Sequence, residues 1–107
     1  MKKLLPLILI LFAAPCFADF TGNWLLERCE RNDDGSASYY QDDAYCIGYV
    51  AGAADILNDV SEICIDGIQY GQMRKVVEKY LRNNPELLHR NADILVRNAL
   101  QKAFPCK

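Results

Sequence analysis

The stretch YCIGYVAGAADILNDV, residues 45–60, decides the fold. Through Ala54 it holds no charged side chain, and a helix that is apolar nearly all round belongs inside a protein. The stretch therefore predicts a central helix with the rest of the chain packed about it. At helical spacing Cys46, Tyr49, Val50, Ala53, Leu57 and Val60 share one face, expected to be core. Gly48 and Gly52 lie one turn apart on the other side, beside Asp55 and Asp59. Each glycine costs a helix interior about 1 kcal/mol relative to alanine, so two in register either mark close approach by another backbone or are merely tolerated.

Upstream, residues 30–43 carry five acids against one arginine and read as a polar linker. Asn32-Asp33-Asp34-Gly35-Ser36 is a strong turn signal, and Tyr39 and Tyr40 are the only large side chains in the segment. Ahead of the linker, Thr21 to Cys29 predicts a short first helix capped by Thr21 or Asn23, with Trp24, Leu25 and Cys29 pointing inward.

Downstream, Glu62 to Gly71 forms a connection with a turn at Asp66-Gly67. A third helix is expected from Gln72 to Arg82, with Met73, Val76, Val77, Tyr80 and Leu81 as its apolar stripe and Asn83-Asn84 as its end. Pro85 suits the first position of a fourth helix capped by Asn84, because its missing N–H would have no helical partner there. Leu88, Ala92, Leu95, Val96, Ala99 and Ala103 recur on one face of that helix, and Pro105 stops it. With no alternating strand pattern, the fold class is all-α, a single small domain of about four helices.

Residues 1–18 stand apart. Lys2 and Lys3 precede the apolar run Leu4 to Ala14, and Cys16-Phe17-Ala18 offers small residues before a signal-peptidase cut. The run is shorter than the roughly 20 residues a membrane span needs, and Pro15 argues against lipidation of Cys16. The mature chain, residues 19–107, is small enough that its core needs staples. Its four cysteines, Cys29, Cys46, Cys64 and Cys106, read as two disulfides in an exported protein.

Geometry narrows the pairing. A continuous helix would hold Cys46 and Cys64 about 27 Å apart, whereas bridged Cα atoms lie within roughly 7 Å, so Cys46–Cys64 and with it Cys29–Cys106 are excluded. Antiparallel neighbours then favour Cys29–Cys46 and Cys64–Cys106 over the crossed pairing.

Catalytic chemistry is thinly supplied. His89 is the one histidine and sits between core positions of the fourth helix. Asp55 and Asp59 form an i, i+4 carboxylate pair that can hold a metal or work as acid and base, although such pairs are more often a solvated helix edge. No nucleophile motif, zinc spacing or phosphate loop occurs, so no catalytic residue, metal or cofactor is expected. The net charge of −2 makes nucleic acid an unsuitable partner. Residues 74–107 carry eight basic and three acidic side chains, opposite in sign to residues 30–43. Such a dipole favours steered association with a protein.

The ensemble Cys46-x-Gly48-Tyr49-x-x-Gly52-x-x-Asp55, Cys64-Ile65, Gln72-x-x-x-Val76-Val77-x-Lys79-Tyr80-Leu81, Pro85-Glu86, Ala99-Leu100 and Phe104-Pro105-Cys106, together with Leu26 and Cys29, resembles the Rap/Tai family of immunity proteins. Asp66 departs from the family, where proline often follows the Cys-Ile pair. The resemblance implies a periplasmic, disulfide-bonded helical protein, free of the membrane once its leader is removed. Its implied role is to protect a Gram-negative cell by occluding the cleft of a peptidoglycan amidase delivered by type VI secretion. It also implies a homodimer. A periplasmic acid-stress chaperone and a small secreted hydrolase are the alternative classes. For the contact with an amidase cleft, the acidic segment Arg31 to Asp43 is the first candidate, through Asp33, Asp34, Tyr39, Tyr40, Asp42 and Asp43; Glu62 to Tyr70 is its rival, through Asp66 and Tyr70.

The exported protein is expected to begin at Asp19, and mass spectrometry of periplasmic material checks this. An intact leader or an acylated Cys16 would refute it.

Overall fold

The computed structural model describes residues 20–107, so the expected leader and the cut before Asp19 lie outside the described residues. Four α-helices follow in order: α1 Gly22–Cys29, α2 Ala37–Asp59, α3 Tyr70–Asn83 and α4 Ala92–Ala103, with a 3-10 turn at Pro85–Leu87 between the last two. Each α-helix touches the other three. Among the described residues there is no strand, and the one bridge contact joins Thr21 to Asn91. The all-α expectation holds.

Leu25, Val50, Ile63, Met73, Val77, Leu81, Leu95, Val96 and Leu100 form the core, each drawn from the inward stripe of its helix or, for Ile63, from the connection after α2. Both disulfides are those expected. Cys29–Cys46 closes the α1–α2 corner with Cα atoms 5.1 Å apart, and Cys64–Cys106 ties the connection before α3 to the chain end with Cα atoms 4.9 Å apart. On the chain-entropy account each contributes about 3 to 4 kcal/mol.

Three expectations fail, each for a physical reason. The linker is shorter than it reads, because α2 begins at Ala37 and not near Tyr45. Ser36 caps it, its hydroxyl accepting from the Tyr39 amide at 3.1 Å, and the acids of its first turns find cationic partners described below. The fourth helix does not run on from Pro85. The carbonyls of Leu88 and Arg90 accept from Asn23 and Gly22 at 2.9 Å each, so they cap the start of α1 where a continuous helix would have used them itself. The break leaves Leu88 half-buried, while Ala103 at the far end of α4 is exposed.

The third failure concerns α2, which is one-sided. Cys46, Val50, Ala54 and Leu57 are buried and Tyr49 and Ala53 half-buried, but Val60 is 61% and Ile56 66% exposed. Nothing lies within 4 Å of a Cβ built on Gly48 or Gly52. The close backbone approach occurs instead at Gly22, where a Cβ would stand 3.1 Å from the Leu88 backbone and 2.5 Å from the Leu95 side chain.

Gly48→Ala and Gly52→Ala are therefore each expected to raise the unfolding free energy by up to about 1 kcal/mol through helix propensity alone, while Gly22→Ala lowers it. Urea unfolding at matched slopes distinguishes these outcomes.

Candidate functional site

The acidic end of the molecule is built where α1 stops and α2 starts. Asp33 and Asp34 shape the turn between them: Asp33 accepts from the Gly35 amide and Asp34 from the Ser36 amide, both at 2.9 Å. Gly35 takes a positive φ of 73°, which glycine adopts without strain. The Ser36 hydroxyl donates to the Asp34 carboxylate. The hydroxyl and then the amide of Ser36 hold the Asp34 carboxyl below its ordinary range, with Arg31 adding to the effect.

Three arginines organise the remaining acids. Arg31 pairs with Asp42 at 2.6 Å and Asp34 at 3.5 Å and donates to the Ser38 hydroxyl. Arg28 approaches Asp42 at 3.8 Å, and Arg74, reaching over from α3, meets Asp43 at 2.8 Å. The same Arg74 donates to the Cys29 carbonyl at 3.1 Å and to the Cys46 sulfur at 3.2 Å. Asp42 and Asp43 are thus neutralised by partners within the fold, whereas Asp33, Asp34 and the neighbouring Tyr40 are exposed. Tyr40 is 59% exposed, its ring set against Tyr39 at a centroid distance of 5.3 Å. Tyr39 is half-buried, and that partial desolvation, followed by the Asp43 and Asp33 charges, pushes its phenol pKa up.

Sequence reasoning named the acids and tyrosines but missed Arg28, Arg31 and Arg74. The alternation of Arg28 and Arg31 with the following aspartates carried a local signal, whereas Arg74 is far away in the chain and carried none.

The rival loop is arranged differently. Asp66 is exposed in the turn before Gly67. Tyr70 is the first residue of α3 and donates its hydroxyl to Asp55 at 2.7 Å, an acceptor that raises the tyrosine pKa. Asp55 is thereby occupied as an acceptor. No group of three or more His, Cys, Asp or Glu among the described residues is placed to hold a metal ion. His89 is exposed in the break before α4. An open groove of about 520 Å³ runs between α3 and α4, lined by Val76, Lys79, Tyr80, Asn83, Asn84 and Lys102 among others, with no carboxylate, imidazole or thiol in its walls. The arrangement is one of ion pairs, caps and open aromatic side chains, suited to binding.

A family model described as Rap1a immunity proteins matches residues 21–106. No curated protein and no solved structure matches the chain. No helix among the described residues is long and apolar enough to cross a membrane.

Ser36→Ala removes both the α2 cap and the main support of the Asp34 carboxylate. It is expected to cost about 1 kcal/mol of stability and to raise the Asp34 pKa toward the usual carboxylate value, as followed by carbon-detected NMR titration. A depressed carboxyl pKa stabilises the fold above the unfolded value and loses that effect as pH falls through the folded one. The variant should therefore lose the acid end of its stability curve at higher pH than the parent.

Proposed function

The chain belongs to the Rap1a immunity proteins, and from that footing we propose that it is a periplasmic inhibitor of a peptidoglycan amidase effector delivered by type VI secretion. Membership of an immunity family implies a cognate effector as its partner. The match over residues 21–106, nearly the whole described chain, is the observation that carries this reading. Two disulfides fit an oxidising compartment such as the periplasm. Protection then works by occlusion, without catalysis by the immunity protein itself, and the protein acts as a homodimer.

The acidic end suits a cleft that evolved to take acidic peptide stems. Asp33 and Asp34 project from a turn fixed by its own hydrogen bonds and by the Cys29–Cys46 bridge, and Tyr40 from the first turn of α2 beside it. A loop already held in place gives up little freedom on binding, and tyrosine is among the residues that most often dominate interfaces. Asp42 and Asp43 support the turn through their arginines, and Asp66 and Tyr70 form the second candidate contact.

The test uses a catalytically inactive amidase effector, sought among the genes neighbouring this one. Tyr40→Ala is expected to leave the melting temperature nearly unchanged and to weaken effector binding at least tenfold, about 1.4 kcal/mol. Unchanged affinity there, with a loss in Tyr70→Ala, would move the contact to the second loop. An effector that does not bind the parent chain would sink the immunity reading.

A further inference from the structure

The groove of about 520 Å³ between α3 and α4 plays no part in the proposed effector contact. Its volume lies within the range of roughly 300 to 1,000 Å³ found for sites that take small ligands. It opens where α4 brings only Ala99 and Ala103 against Val76 and Tyr80 of α3, small side chains that do not fill the space between the helices. Ala99 is buried and Val76 and Tyr80 are half-buried, so the floor is apolar. Lys79 and Lys102 stand exposed on the rims, one from each helix, with Asn83 and Asn84 at the end of α3.

The rim charges are available. Among the described residues neither lysine takes part in an ion pair, and Glu78, the acid next to Lys79, is held by Arg82. The walls contain no carboxylate. Both helices end at the groove, α3 with Asn83 and α4 with Ala103, and the last carbonyls of a helix have no partner within it. Asn84 donates its side-chain amide to the Tyr80 carbonyl at 2.7 Å, which fixes the side chain and leaves its oxygen as an acceptor. Ammonium donors and amide acceptors therefore surround one apolar floor.

We propose that this groove is a binding site for a short acidic peptide, its carboxylates set on Lys79 and Lys102 and its backbone amides on the Asn83 and Asn84 side. The proposal goes beyond the immunity reading and stands without it. Charge decides the sign of the ligand, since two unpaired cations in walls free of acids attract an anion. The acceptors decide its class. Phosphate, sulfate and fatty acids carry no N–H group to offer them, and the carboxyl ends of two helices disfavour a compact dianion. A peptide brings N–H donors and separate carboxylates at once, and its small side chains suit a floor made partly of alanine.

The probe is the tripeptide Ala-Glu-Ala with a free carboxyl end, titrated into the isotopically labelled protein and followed by two-dimensional amide NMR. The side-chain amides of Asn83 and Asn84 and the backbone amides of Lys102 and Ala103 are expected to shift in a saturable way. Lys79→Gln with Lys102→Gln is expected to weaken binding by about tenfold or more, the scale of one charge-assisted contact. Both lysines are exposed, so the melting temperature should hold. Ala103→Phe keeps both charges and narrows the groove, and a matching loss there separates a shaped site from diffuse attraction to a basic surface. The peptide Ala-Lys-Ala with an amidated end is expected to leave the spectrum unchanged. Absence of a saturable shift with Ala-Glu-Ala overturns the proposal. Equal shifts with inorganic phosphate would assign the groove to any small anion, and effector binding lost in the lysine variant without peptide binding in the parent would assign it to an acidic segment of the effector; either result overturns it as well.

Discussion

Arg74 is the residue on which three helices agree. It projects from α3 into the corner where Cys29 ends α1 and Cys46 is anchored in α2, donating to the Cys29 carbonyl and the Cys46 sulfur while pairing with Asp43. A guanidinium drawn mostly out of water is tolerated only when its donors are met. Here the partners come from two other helices at once. The disulfide fixes the corner, and Arg74 fixes the register in which α3 meets it. Asp43, in the second turn of α2 beside that corner, thus takes its charge partner from a residue 31 positions later in the chain.

The parts of the fold that were legible in the sequence are those set by local rules. Thr21 as a cap, the Met73-Val77-Leu81 stripe, the stop before Pro105 and the two disulfides all follow from spacing, propensity and reach, and all stand. The failures share a cause. An acidic run reads as solvated unless its cations are known, and a proline followed by leucines reads as a helix start unless the fate of the Leu88 and Arg90 carbonyls is known. Both answers lie in distant segments. The apolar outer side of α2 misled in the opposite sense, since a stretch without charge looks interior although no part of the described chain covers Ile56 or Val60.

For the proposed effector contact the sequence supplied residue types and not availability. Of the acids in residues 30–43, Asp42 and Asp43 are held by Arg28, Arg31 and Arg74, leaving the turn acids outward. Partly exposed ion pairs of this kind contribute on the order of 1 kcal/mol each to stability. Their larger effect is to decide which carboxylates a partner meets. In the same way Trp24 reads as an inward helix residue, whereas it stands only half-buried beside Phe20, Tyr45 and Tyr49.

The joint between the two ends of the described chain has a consequence for the order of assembly. Phe20 accepts from the Ala92 amide at 2.7 Å, and the first amides of α1 rest on the carbonyls of Leu88 and Arg90. Beyond the local Thr21 cap, the Gly22 and Asn23 amides therefore lack their partners until nearly the whole polypeptide has emerged from whatever machine delivers it. Of the described helices α1 comes first in the chain, yet it gains its full set of partners only with the segment before α4. Ring closure between segments about 70 residues apart is slow compared with local helix formation. In that interval the nascent chain presents Leu25 and Leu95 to solvent, and its dependence on escort should be greatest then, before any toxin is met.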